Sequence, residues 1–371
     1  MSEYGIVILT GLLIGAAAVT LSRLGNPKNM GFCIACFLRD IAGTTKLHNA
    51  HAVQYFRPEI VGLVIGAMIW AMIKKEWKPT GGSSPVTRFF IGVFVMIGAL
   101  VFLGCPLRMV IRIGSGDLNA LIGLVGFIVG IVIGTVPLRF GFSLNRAYKQ
   151  SKVEGLIFPI MLVALFILFL ALPALFEKSV DFEDVKGPGK AFAPWYIALA
   201  IALVVGALCQ QSRLCMAGGI RDVVLFKDFR LISGFAAIIV AVLLGNLILG
   251  NFSGEGALKF SMKMQPVAHS DGWMNFLGML IVGYGSVLLG GCPLRQLILT
   301  GEGNTDSGIT VLGYIVGAAF AHNFGLAGKA DATVDGVFTR GGASMNALYV
   351  LIAAFVIFTL IAIFNTKKQK A

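Results

Sequence analysis

Apolar positions along the chain gather into ten long runs, near 4–24, 57–75, 86–103, 117–138, 154–176, 193–212, 229–250, 272–290, 306–324 and 346–365. Each is close to the ~20 residues an α-helix needs to cross the hydrocarbon core of a bilayer. Polar and charged residues collect between the runs. Four shorter apolar stretches remain, beginning near Met30, Cys105, Leu214 and Cys292. Each is too short to cross, carries an arginine and lies between two full runs. Irregular backbone at membrane depth is tolerated only where protein or a water-filled cavity satisfies it, so each predicts a re-entrant half-helix.

Two of these stretches open with the same five residues. Gly104-Cys105-Pro106-Leu107-Arg108 recurs as Gly291-Cys292-Pro293-Leu294-Arg295, 187 positions on. At that offset Gly114, Gly116, Gly126, Ile128, Val129 and Gly130 also reappear, as Gly301, Gly303, Gly313, Ile315, Val316 and Gly317. The other two stretches form a second pair, Cys33-x5-Arg39-Asp40 and Cys215-x5-Arg221-Asp222. The chain carries an internal duplication. Proline at a first helical position loses no hydrogen bond, so Pro106 and Pro293 each predict a helix start, with Gly104 and Gly291 helping the turn before it.

Composition agrees with a membrane protein. Hydrophobic residues make up 57% of the chain and charged residues 13%, and mean hydropathy is +0.86. That is too apolar for a soluble globular domain. The excess of 30 Lys and Arg over 18 Asp and Glu is loop charge; with no basic, aromatic-interleaved soluble segment, nucleic-acid binding is not expected. Lys74, Lys75, Lys78 and Arg88 lie in one loop, Arg139, Arg146, Lys149 and Lys152 in another, and Lys367, Lys368 and Lys370 at the C-terminus. Ten spans put these on one side and Glu177, Asp181, Glu183 and Asp184 on the other, so the positive-inside rule predicts both termini in the cytoplasm. The basic loop 23–57 departs from that rule, which Arg39 explains if it belongs to a buried re-entrant segment. The opening Met1-Ser2-Glu3-Tyr4 has no basic region, so residues 5–24 read as a retained first span.

The predicted architecture is all-α and polytopic: an inverted repeat with about ten transmembrane helices and four re-entrant half-helices. The first repeat covers 1–140, a linker with a connecting helix 141–190, the second repeat 191–325, and a C-terminal loop and helix 326–371. Because one extra span separates the repeats, the second enters from the opposite face, and the four short segments meet near the midplane. Inverted repeats with discontinuous helices at a central site are transporter architecture.

The chemistry sits on the short segments. Arg39, Arg108, Arg221 and Arg295 are four arginines at membrane depth, kept there when they face a cavity, a partner or a substrate pathway. Asp40 and Asp222 directly follow two of them and suit structural ion pairs; Arg108 and Arg295 have no adjacent acid and are favoured as the source of positive field. Cys33, Cys105, Cys215 and Cys292 are repeat-related, and a soft thiol at four such positions points to reactivity or hydrogen bonding rather than packing. Cys36 and Cys209 have no repeat partner and read as packing residues, with Cys33-x2-Cys36 leaving a redox or metal reading open. His48, His51, His269 and His322 are scattered, so no metal is expected, and no nucleotide, phosphate or catalytic-triad motif calls for a cofactor or an enzyme.

These motifs resemble the YeeE/YedE family of bacterial inner-membrane sulfur transporters, over nearly the whole chain. One branch takes up thiosulfate; the YedE branch, which this chain looks most like, is described as carrying selenium. The resemblance implies an hourglass-shaped inverted repeat whose central cysteines contact the sulfur anion in succession. By motif Cys105 and Cys292 are the pentapeptide cysteines, and Cys215 belongs to the Arg-x-Cys motif Arg213-Leu214-Cys215. Cys33 is its repeat mate, with Gly31-Phe32 in place of Arg-x and an insertion of nine or ten residues after Arg23. The family also implies a cytoplasmic sulfur- or selenium-carrier protein as partner. The expected function is import of a small sulfur- or selenium-containing anion; the alternative is a membrane-embedded sulfur- or selenium-transfer enzyme working through a cysteine persulfide-type adduct.

Overall fold

The computed structural model describes residues 3–253 and 257–366. The basic C-terminal cluster Lys367, Lys368 and Lys370 and the first two residues lie outside them. The first half contains α1 (Glu3–Arg23), α2 (Ile34–Thr44), α3 (Pro58–Ile73), α4 (Pro85–Val101), α5 (Pro106–Gly114) and α6 (Asn119–Arg139). A connecting helix, α7 (Lys152–Ala171), follows. The second half contains α8 (Trp195–Ser212), α9 (Met216–Phe226), α10 (Arg230–Ile248), α11 (Gly272–Leu288), α12 (Pro293–Gly301) and α13 (Thr305–Asn323), and α14 (Met345–Phe364) closes the chain. Each long apolar run of the sequence is one long helix. Each of the four leftover stretches is a short one, of nine to eleven residues.

Nine helical stretches among the described residues are long and apolar enough to cross a membrane. In three of them a long helix and the short helix after it form one stretch: 85–114, 195–226 and 272–301. The tenth sequence-predicted span, 306–324, is the 19-residue helix α13, yet it is not among the nine. Its ends, Thr305-Asp306-Ser307 and His322-Asn323, are polar and dilute an apolar centre. Among the described residues the chain is a multi-pass, all-helical membrane protein apart from two small antiparallel strand pairs that the apolar pattern does not foretell. One pairs Thr80–Gly81 with Tyr148–Lys149, the other Ala332–Val334 with Val337–Thr339.

Exchanging the two halves maps the helix packing onto itself. Helix α3 packs on α8 as α10 packs on α1, α6 on α11 as α13 on α4, and α5 on α10 as α12 on α3; α4 meets its own mate α11, and α1 meets α8. The repeated glycines serve this packing. A methyl group on Gly126 would lie 2.1 Å from the Phe276 carbonyl oxygen, and one on its mate Gly313 2.4 Å from that of Phe89. Hydrogen at these two positions lets α6 and α11, and α13 and α4, approach backbone to backbone, the contact that holds helices together where lipid offers no hydrophobic drive.

The loops form two cross-linked sets. In one, Gln150 N–H donates to Pro79, Lys78 N–H to Glu302, Ser143 N–H to Asn365, and Arg213 pairs with Glu76. In the other, Glu177 N–H donates to Thr44, Ala193 N–H to Asn26, Ser261 N–H to Gly116 and Asp331 N–H to Ala268. Helix α1 begins beside Arg230, which binds Glu3, and ends beside Ala193. Its mate α8 starts just after Ala193 and ends at Arg213, so the two run in opposite senses between the sets.

Candidate functional site

All four repeat-related cysteines occupy the same local position: each is the N-cap residue of a short helix, in extended backbone. On α2 and α9 the thiol acts as the cap. Cys33 Sγ accepts from Cys36 N–H at 3.3 Å, and Cys215 Sγ from Gly218 N–H at 3.2 Å. On α5 and α12 the first helical residue is proline, as expected. A helix N-terminus carries unpaired N–H groups and about half a positive charge, which favours an anion in front of it.

Packing brings the N-caps together in pairs. Cys33 Sγ and Cys105 Sγ are 4.0 Å apart, a thiol contact and not a disulfide, and Cys292 N–H donates to Cys215 Sγ at 3.4 Å. Each pair unites the two short helices of one repeat. All six cysteines are buried thiols. Tyr314, fully buried on α13, lies within electrostatic reach of Cys105, Cys215 and Cys292 and so relates the two pairs to one interior.

The turn before each pentapeptide places its arginine. The left-handed residue is not Gly104 or Gly291 but the one before: Leu103 at φ 61° and its repeat mate Gly290 at φ 79°. The pentapeptide glycines instead make room for the arginine, since a methyl on either would come 3.0 Å from the folded-back Arg108 or Arg295 side chain. Arg108 is fully buried and binds no carboxylate among the described residues. It donates to the carbonyls of Asn29 (2.9 Å), Val267 (3.0 Å) and Leu103, and its Nη1 lies 3.6 Å from Cys36 Sγ. Cys36, read from sequence as packing, therefore joins Cys33 to the Arg108 guanidinium. Arg295 is different. It meets Glu302 and Gln210, both at 3.4 Å, so part of its field is neutralised by the acid at the C-cap of its own helix.

Arg39 and Arg221 are engaged by the aspartates that follow them, at 2.7 and 2.8 Å. Asp40 has a second partner, Arg57, also at 2.7 Å. Arg57 donates further to the Ala191 and Pro188 carbonyls and lies over the Phe37 and Tyr55 rings. Arg112 pairs with Asp117 at 2.7 Å, and both are buried. Of the four arginines that the sequence puts at membrane depth, Arg39, Arg108 and Arg295 are buried but Arg221 is partly exposed, and fully buried Arg57 and Arg112 join them. Their signal was weak: Arg57 finds its acid across a loop, and Arg112 finds its own five positions on, across the turn that ends its short helix.

Comparison with known proteins points the same way. Residues 211–371 match the family described as "Sulphur transport". A protein named Thiosulfate transporter TsuA from Spirochaeta thermophila is 28% identical over 123 residues, 33% of this chain and 35% of that protein. Its namesake from Escherichia coli is 29% identical over 122 residues, 33% of this chain and 32% of that protein. The chain spans about a third of the length of the curated relatives it matches.

Proposed function

We propose, for a chain whose residues 211–371 match the sulphur transport family, that it imports a small sulfur- or selenium-containing anion across the bacterial inner membrane through a cysteine-lined pathway. The observation that carries this reading is the placement of four thiols at four half-helix N-termini, paired within each repeat. Helix ends there favour an anion. The cap sulfurs accept from backbone N–H groups, and Cys33 Sγ donates in turn to Cys105 Sγ, so each pair keeps a thiol proton to donate to a passing chalcogen. A thiol is a weak donor. Conduction needs sites that bind well enough to admit an ion and weakly enough to release it, and a series of weak donors meets both demands. Arg108, unneutralised by any described acid, supplies the positive field beside the Cys33–Cys105 pair, and Arg295, tempered by Glu302, that beside Cys215–Cys292. Arg39 and Arg221 hold their half-helices through Asp40 and Asp222.

The opposed senses of α1 and α8 and the two sets of loops support an inverted repeat of ten spans and four half-helices, with repeats over 1–140 and 191–325, the connecting helix in 141–190 and a terminal helix in 326–371. The set containing Lys78 and Lys149 is cytoplasmic, with both termini, and the set containing Asp184 and Gly336 is external. Single cysteines introduced at these four exposed positions, in protein lacking its native reactive thiols, should label from outside only at 184 and 336. Labelling at 149 from outside would contradict the inverted arrangement.

The name of the two relatives makes thiosulfate the first anion to try, with selenite and selenosulfate as selenium counterparts. Expression in a bacterium that lacks its own thiosulfate uptake should restore growth on thiosulfate as sole sulfur source. Unrestored growth with the protein present in the membrane would reject thiosulfate as its cargo.

A further inference from the structure

The two repeats are alike in packing but not in polarity. Ser286, Gln296 and Tyr314 are fully buried, and the Ser286 hydroxyl, the Gln296 amide oxygen and the Tyr314 hydroxyl have no hydrogen-bond partner among the described residues. Their mates 187 positions earlier are Ala99, Met109 and Phe127, equally buried and wholly apolar. Ser286 and Gln296 hold the turn before Cys292, and Tyr314 lies within electrostatic reach of it. Ser286 carbonyl accepts from Gly291 N–H at 2.9 Å, and Gln296 Nε2 donates to Leu289 and Gly291 carbonyls at 3.0 and 3.4 Å, on either side of the turn that presents Cys292. Tyr314 lies on α13, which packs on α12. A buried polar group without a partner costs stability, and an apolar residue fills each equivalent place in the first repeat. Packing therefore does not explain the hydroxyls.

We propose that the Ser286 and Tyr314 hydroxyls seat the oxygen-bearing end of the anion while the thiols meet its terminal sulfur or selenium. Gln296 presents an acceptor and is not assigned to the anion. The assignment rests on the transport reading and narrows its substrate class to two-ended chalcogen anions, with a hard oxygen end and a soft sulfur or selenium end. Thiosulfate and selenosulfate have both ends; sulfide has only the soft one. The hard end is held by the second repeat alone, so the anion is bound in one orientation.

The test is thermal melting of purified protein titrated with thiosulfate. Tyr314→Phe and Ser286→Ala each restore the residue that the first repeat carries, so both variants should melt higher than wild type without anion. Their thiosulfate midpoint, read from the rise in melting temperature, should move up about tenfold or more, the loss of one hydrogen bond to a charged group. An unchanged midpoint in both variants, or a wild type that thiosulfate does not stabilise, would overturn the seat. Variants that melt lower than wild type without anion would show the hydroxyls to be structural and would overturn it too. Should Tyr314→Phe fail to fold, Ser286→Ala and the reciprocal Phe127→Tyr carry the same comparison. Wild type that binds thiosulfate with a hydroxyl-dependent midpoint, yet carries none across a bilayer, would sink the transport reading and leave the seat standing.

Discussion

Alanine at Cys292 should lower anion uptake by about tenfold or more at equal protein abundance, because one donor to a charged group in a dry site is worth roughly 1.5–3 kcal/mol. Serine at the same position keeps a donor and should fall between alanine and wild type. The same order is expected at Cys105. Neither change disturbs a helix start, since the capping sulfurs are those of Cys33 and Cys215 while α5 and α12 begin on proline. The graded order separates hydrogen bonding from covalent transfer. If a persulfide-type adduct were obligatory, serine could form no chalcogen bond and would be as inactive as alanine. Mass spectrometry of anion-loaded wild type would then find added sulfur or selenium on Cys105, Cys215 or Cys292, released by an acceptor thiol. Uptake by serine variants above that by alanine, with no adduct, is the outcome expected.

Asparagine at Asp40 should remove most folded protein from the membrane. Asp40 bridges Arg39 and Arg57, and all three side chains are buried. Taking the acid from a buried ion pair leaves an uncompensated charge, a loss of about 3–5 kcal/mol. Here two arginines lose it at once. Arg57 ties α3 to the Pro188 and Ala191 carbonyls, so the loss reaches the segment joining the two repeats. Asp222→Asn should cost much less, because the Arg221–Asp222 pair is partly exposed. Melting temperatures of the two variants in detergent check the contrast; similar losses would mean that the Arg57 bridge adds nothing.

Much of this was open in the sequence. An apolar run of about twenty residues can do little but span, and a short apolar stretch opening on Cys-Pro has one natural helix start. Periodicity therefore located the long helices, and the duplication located the thiols. It could not say that cysteine itself is the N-cap, which depends on backbone angles at Cys33 and Cys215. Nor could it pair Asp40 with Arg57, seventeen residues away across a loop, because ion pairs outside one helix leave no periodic trace. Glu302 was more accessible: seven residues after Arg295 is the same face of α12. The Tyr314 to Phe127 difference was also present in the duplication, but a mismatch between repeats draws no notice until burial makes its hydroxyl costly.

Uptake of sulfur-labelled thiosulfate into proteoliposomes holding purified protein, measured for wild type beside a Cys105→Ala, Cys292→Ala double variant reconstituted in equal amount, decides whether the anion crosses along the cysteines. Accumulation above protein-free liposomes in wild type, reduced to near that background in the variant, is the expected result. Equal accumulation in both would contradict a cysteine-lined pathway.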